Sequence, residues 1–453
     1  MRLFGRMSVF TRILAASFLA LLLGSCGEKR PQNLVLISID TLSRDRMSAY
    51  GGPRATTPSI DVLRERSLLF ENAQTTSPWT LSAHASMLTG LYPSRIASTE
   101  KQRYGVEPML GDLFKEAGYR TAAVTGGVYL SESFGFGQGF DLLVDGGVRN
   151  AIAWIEENKN EPFFLFFHTY IPHTPYVDRR FVSNGQGGRI SEIFGPDDDS
   201  LHLDICCRGM VLSEEERAFL LALYDGGIAA ADEAVGELLE VLRREGLLEN
   251  TTVVITSDHG EEFWEHTGAG AMHGHTLYDE LTRIPLIWYE PGLATAGGSV
   301  DIPVSLVDLL PTIAARFDLE APDARNGLDI SPVLDGEPWE VERPLFAEAT
   351  LHGPERFSIR TSEGTLVMTP DIKKQRGLGH RYPVAVRSRQ EVYLPNDPEE
   401  RRNALRTNSM LAVKLLKQLR EHRAQAVEVE EPDLSAGASK ELEDQLRAMG
   451  YIE

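Results

Sequence analysis

The chain has 453 residues and carries 45 lysines and arginines against 66 aspartates and glutamates, a formal charge of -21 at neutral pH. So acidic a chain repels nucleic acid and anionic lipid, which excludes a basic binding module. Hydrophobic residues make up 42% of it, ample for a large core plus a smaller second unit, while its three cysteines, Cys26 and the adjacent Cys206 and Cys207, offer no disulfide framework.

Arg2, Arg6 and Arg12 surround the start of an apolar run, Ile13 to Leu23, that is too short to span a bilayer and has the length of a secretory leader. Leu23-Gly24-Ser25-Cys26 resembles a bacterial lipobox. Residues 1–25 are therefore expected to be a cleaved signal peptide, Cys26 the lipidated residue and 26–32 a tether. This implies an exported lipoprotein in the periplasm or at the cell surface, and Gly27 after the cysteine points to the outer membrane in a diderm cell.

Asn33 to Ile39 is an apolar, β-rich run of the buried parallel kind, with Asp40 at its carboxyl end. A helix is expected around Thr57 to Arg66 and a strand at Leu68 to Phe70. Helices at Leu110 to Ala117 and Ala151 to Glu157 alternate with strands at Thr121 to Thr125 and Phe163 to Phe167. Ser213-Glu214-Glu215-Glu216 is a capping box that opens a helix reaching Arg244, with a break expected at Gly226-Gly227. Strands at Thr252 to Thr256 and Ile284 to Tyr289 follow, the first running directly into Asp258-His259-Gly260-Glu261. Such alternation implies a mainly parallel sheet sandwiched by helices, with ligands at the carboxyl ends of its strands, where Asp40 and Asp258 stand.

Between these elements lies Ser77-Pro78-Trp79-Thr80, a turn that enters a helical pattern ending at Gly90. A hydroxyl there meets unpaired main-chain N–H groups and the positive end of the helix dipole, so Thr80 is the candidate nucleophile. The stretch through Thr89-Gly90-Leu91-Tyr92-Pro93 resembles the signature of the sulfatases, in the alkaline phosphatase superfamily, whose form is Cys-x-Pro-Ser-Arg followed by a helix ending Leu-Thr-Gly-x-Tyr-Pro. Counted back from Thr89, the signature cysteine falls on Thr80 and its arginine on His84. Threonine cannot give the formylglycine aldehyde, so no formylglycine is expected. The nucleophile matches the phosphatases, phosphodiesterases and phosphonate hydrolases of the superfamily.

The resemblance implies the rest of the site residue by residue. Asp40, Thr80, Asp258 and His259 match its metal ligands. An imidazole among carboxylates moves preference to zinc or manganese over magnesium or calcium, and one divalent ion is expected, with a second at His173 and His273 left open. His173 matches the histidine on the ester oxygens and His273 the one facing the leaving group, with His84 and His275 as further substrate contacts. The family's Gly-Lys-Trp-His segment has no counterpart near Gly126-Gly127-Val128-Tyr129.

A polar Pro/Gly stretch, Asp335 to Pro338, marks the end of a catalytic α/β domain of residues 33–338. Residues 339–453 resemble the small antiparallel C-terminal subdomain of sulfatases, with a hairpin around Thr361-Ser362-Glu363-Gly364, a helix from Leu411 to Gln425 and the tail Leu446 to Tyr451. A basic insert, Lys373 to Arg389, and a polar excursion at 184–212 are expected on the surface. The expectation is a metal-dependent hydrolase of phosphate, phosphonate or sulfate esters acting through a threonyl ester. A genuine sulfatase without formylglycine and a non-catalytic lipoprotein binding anionic glycans are the alternatives. A small-molecule, glycan or lipid ester is the expected partner, and no nucleic acid.

Overall fold

The computed structural model describes residues 33–96, 107–191, 205, 210–266, 270–323, 325–373, 375–376 and 389–426. The leader with Cys26, the tether, Cys206 and Cys207, most of the basic insert and the tail lie outside them. Among the described residues no helix is long and apolar enough to cross a membrane.

The centre is β1 (Asn33–Ile39), buried at every position. Its apolar residues alternate between two cores: Leu34 and Leu36 face one, Val35, Ile37 and Ile39 the other, as the two-residue period of a strand covered on both faces dictates. In chain order come β2 (Ser67–Phe70), β3 (Arg120–Thr125), β4 (Leu142–Asp145), β5 (Phe163–Thr169), β6 (Thr251–Thr256), β7 (Leu286–Tyr289) and β8 (Ser299–Val300). They form one eight-stranded sheet in the order β8-β2-β7-β6-β1-β5-β3-β4. β1 pairs in parallel with β5 and β6, and β7 is antiparallel to both its neighbours. The expected strand from Ile284 is divided at Pro285, which has no N–H for a ladder. Arg283–Ile284 pairs instead with Ala73–Gln74 in a small separate sheet.

On one face pack α1 (Pro58–Arg64), the later α4 (Val148–Asn158) and α5 (Glu214–Arg244). On the other pack α2 (Thr80–Thr89), α3 (Leu110–Glu116) and α6 (Leu309–Arg316). The capping box of α5 is formed, Ser213 Oγ accepting from Glu216 N. The expected break at Gly226-Gly227 is absent, and the helix runs through both glycines. Packing is the reason: a Cβ on Gly226 would stand 2.4 Å from the Asp178 carbonyl, and one on Gly227 3.1 Å from Pro172 Cα. The glycines let α5 lie against the loop that carries His173.

The C-terminal part is a four-stranded antiparallel sheet of β9 (Leu345–Ala347), β10 (Phe357–Thr361), β11 (Gly364–Met368) and β12 (Gln390–Tyr393). Its apolar face packs on Ala412, Leu415 and Leu419 of α7 (Ser409–Arg423).

Candidate active site

Side chains from three neighbouring strand ends and one helix start meet at the carboxyl edge of the main sheet. Asp40 follows β1, Asp258 and His259 follow β6, and His168 is the next-to-last residue of β5. A serine ties the first two together. Ser257 Oγ accepts from Leu42 N at 3.0 Å and lies 2.8 Å from the Ile39 carbonyl and 2.6 Å from that of His259. Thr41 is held at φ 56, a conformation uncommon for a residue with a side chain. There its N–H donates to Asp258 Oδ1 at 3.2 Å.

Thr80 is the first residue of α2, a helix buried from end to end. Its hydroxyl donates to Asp40 Oδ2 at 3.1 Å. The turn before it is strapped from the C-terminal part. Trp79 Nε1 donates to the Ala349 carbonyl at 2.6 Å, Glu348 N donates to Thr76 O at 2.9 Å and Gly274 N to Pro78 O at 2.9 Å. Gly274 O in turn accepts from Leu351 N and His352 N at 2.7 and 2.9 Å, so residues 348–352 fasten the Thr80 turn to the loop of His273.

Both carboxylates are wholly buried. Burial holds Asp40 above the usual carboxylate range, and burial together with the nearby Asp40 does the same to Asp258. Burial would lower His259, but the Asp258 carboxylate overrides it and holds the imidazole above its ordinary value. Asp40, Asp258 and His259 each offer a ligand atom, all within 4.8 Å of one another. Asp40 Oδ1, Asp258 Oδ2 and His259 Nε2 have no hydrogen-bond partner. His259 Nδ1 donates to the Gly260 carbonyl at 2.9 Å, which leaves the Nε2 lone pair for a ligand. Buried atoms orphaned this way are costly, and a divalent cation fits the mixed oxygen and nitrogen set.

The other histidines divide. The His273 ring lies 4.5 Å from that of His259 and 5.1 Å from that of His173, so both stand beside the metal-type group. His273 Nδ1 lies 3.1 Å from Glu261 Oε1, whose other oxygen accepts from the Tyr176 hydroxyl at 3.0 Å. Burial pushes the Glu261 carboxyl up to about 7. His173 Nδ1 donates to the Thr174 carbonyl at 2.6 Å. His275 is engaged with Glu262 Oε2 at 2.8 Å. His266 is spent elsewhere, between Glu280 Oε1 and the Glu400 carbonyl. His84 is fully buried, with Nε2 at 2.9 Å from Ser38 Oγ and Nδ1 at 2.8 Å from the Thr80 carbonyl.

Sequence reasoning singled out neither Glu261 nor His168. Glu261 stands in the quoted Asp258-His259-Gly260-Glu261 run, and a carboxylate beside a ligand pair is the signal that could have found it. His168 interrupts an apolar strand, and a polar residue there was the available sign.

The family model described as Sulfatase matches residues 32–319. The delta 4,5-hexuronate-2-O-sulfatase of Bacteroides thetaiotaomicron is 25% identical over 445 residues, 86% of this chain and 87% of that one. Among solved structures, BT4656 in complex with its substrate D-glucosamine-2-N,6-O-disulfate superposes with a TM-score of 0.69 at 20% identity, covering 88% of this chain and 98% of that one. The phosphonate monoester hydrolase of Agrobacterium radiobacter gives 0.65 at 19% identity, covering 88% and 96%.

Proposed function

Because the chain belongs to the sulfatase family and is a hydrolase acting on ester bonds, we propose that it cleaves phosphate or phosphonate esters with the unmodified Thr80 hydroxyl and one divalent cation. The observation that carries this is the Thr80 hydroxyl, 3.1 Å from Asp40 Oδ2 at the start of a buried helix. Asp40, Asp258 and His259 would hold the cation, with Thr80 Oγ1 beside them. When bound, the cation supplies positive charge that lowers the pKa of the Thr80 hydroxyl and offsets charge on the ester.

Thr80 attacks in line and its proton passes to Asp40 Oδ2, with the first N–H groups of α2 facing the developing charge. The bond to the leaving alcohol breaks, and His273, steadied at Nδ1 by Glu261, gives that alcohol its proton. His173, beside His273, steadies the equatorial oxygens. Water then hydrolyses the threonyl ester. For sulfate this second step is harder, because the formylglycine hydrate releases sulfate by breaking a C–O bond and threonine has no such exit.

The second reading, sulfate ester cleavage without formylglycine, draws on relatives such as the hexuronate sulfatase, which align with most of the chain. One preparation assayed on an aryl phosphate, an aryl phosphonate monoester and an aryl sulfate decides between them. Faster phosphate or phosphonate turnover supports the first; sulfate turnover above both overturns it. Affinity for these esters with no turnover of any overturns both. The leader supports export and anchoring through Cys26, in the outer membrane of a diderm cell, as the setting of this activity.

A further inference from the structure

One divalent cation at Asp40, Asp258 and His259 leaves another buried group unexplained. His168 is fully buried, and neither of its ring nitrogens has a hydrogen-bond partner. Such an imidazole loses its water without replacement, a cost native proteins rarely carry. Its Nε2 stands 3.3 Å from Asp40 Oδ2, and its ring meets that of His84 edge-on at 4.8 Å. His84, His168 and Asp258 place one ligand atom each within 4.8 Å of one another. This trio shares only Asp258 with the first.

The sharing is chemically reasonable. Asp258 Oδ1 is taken by the N–H groups of Thr41 and His259. Oδ2 has no hydrogen bond and lies 3.4 Å from His259 Nε2 and 3.6 Å from His84 Nδ1. His84 needs a change of tautomer and a turn of its ring, because the Nδ1 lone pair otherwise faces the Thr80 carbonyl 2.8 Å away. Nδ1 now donates to the Thr80 carbonyl, whose ordinary helical partner is the His84 main-chain N–H. With its proton moved to Nε2, the ring donates to Ser38 Oγ, 2.9 Å away, and frees Nδ1 as a ligand. Besides histidines, the charged groups that bear on the two carboxylates are themselves carboxylates, Asp40 on Asp258 and Glu261 on Asp40, with no lysine or arginine among them.

From this arrangement we propose a second divalent-cation site at His84, His168 and Asp258, bridged to the first through Asp258 Oδ2. Two imidazoles and one carboxylate select a cation of the zinc class over calcium or magnesium. The site lies on the β5 side of Asp258 and does not involve His173 or His273. It rests on the cation-dependent reading above, which stands without it.

The test is the stoichiometry of the full chain, stripped with chelator and titrated with cobalt(II) under visible absorption, then with zinc under elemental analysis. Two equivalents are expected for the wild type, one for His168→Asn and for His84→Asn, and two for His273→Asn, with circular dichroism confirming that each variant is folded. A wild type that binds one equivalent overturns the second site and leaves the proposed function intact; none at all overturns both. Two equivalents retained in folded His168→Asn, or one lost in His273→Asn, also overturns it. Should the His168 and His84 variants fail to fold, the wild-type count together with His273→Asn decides.

Discussion

The hydroxyl of Thr80 donates to Oδ2 of Asp40 across 3.1 Å, although the two residues are forty positions apart in the chain. One closes the central strand and the other opens a buried helix, so neither can drift without disturbing the core.

Thr80→Ala is expected to lower kcat/KM by about 10^3-fold or more, while metal content measured by elemental analysis stays at the wild-type level. Thr80→Ser keeps the hydroxyl and retains measurable turnover. Undiminished activity in the alanine variant removes Thr80 from its assigned role.

Stripping the protein with chelator is expected to abolish turnover and lower Tm. A ligand at a hundredfold excess over its Kd contributes about 2.7 kcal/mol to the folded state, read calorimetrically as a shift of a few degrees. Zinc or manganese restores both; recovery with calcium alone contradicts the reading of His259 as a ligand.

For Glu261→Ala, the expected loss is in kcat on esters with poor leaving alcohols, by about 10–100-fold. Activated aryl esters, whose leaving groups need no proton, suffer less. An equal loss on both kinds of ester rules out its work through His273.

The sheet was readable because β1, β5 and β6 are continuous apolar runs whose neighbours carry helical spacing, and the strand ends fell where the carboxylates stand. What escaped was set by distant contacts. Gly226 and Gly227 read locally as a helix break, yet they answer to the backbone at Asp178 and Pro172. The direction of β7 depends on Pro285 and on which strands it lies between. His84 could be placed by motif, but that its ring would be closed off by Ser38 and by a carbonyl of its own helix was not written locally. Glu261 and His273 sit twelve residues apart, and only the fold brings them to 3.1 Å.

Stability should respond at the start of α5. Glu216 is held below its ordinary 4.5, first by the hydrogen bond from the Ser213 N–H and then by Arg189. A lowered carboxyl pKa adds stability that is fully present above the unfolded value and lost as pH falls through the folded one. Ser213→Ala is expected to cost about 1 kcal/mol at neutral pH, and Glu216→Gln to narrow its gap to wild type below about pH 4.5, the ordinary value. Thermal melts at both pH values check this.

The strap at residues 348–352 braces from outside a junction that the catalytic part already makes through the Gly274 N–H on the Pro78 carbonyl, between the turn before Thr80 and the loop of His273. A chain cut after residue 338 would keep every acid and imidazole of the centre and the Gly274–Pro78 bond, but lose the bonds from residues 348–352 that hold the turn and the loop from their other side. On the proposed mechanism the placing of Thr80 against His273 is thus a property of both parts, and exchanging the tail between relatives is expected to retune the head.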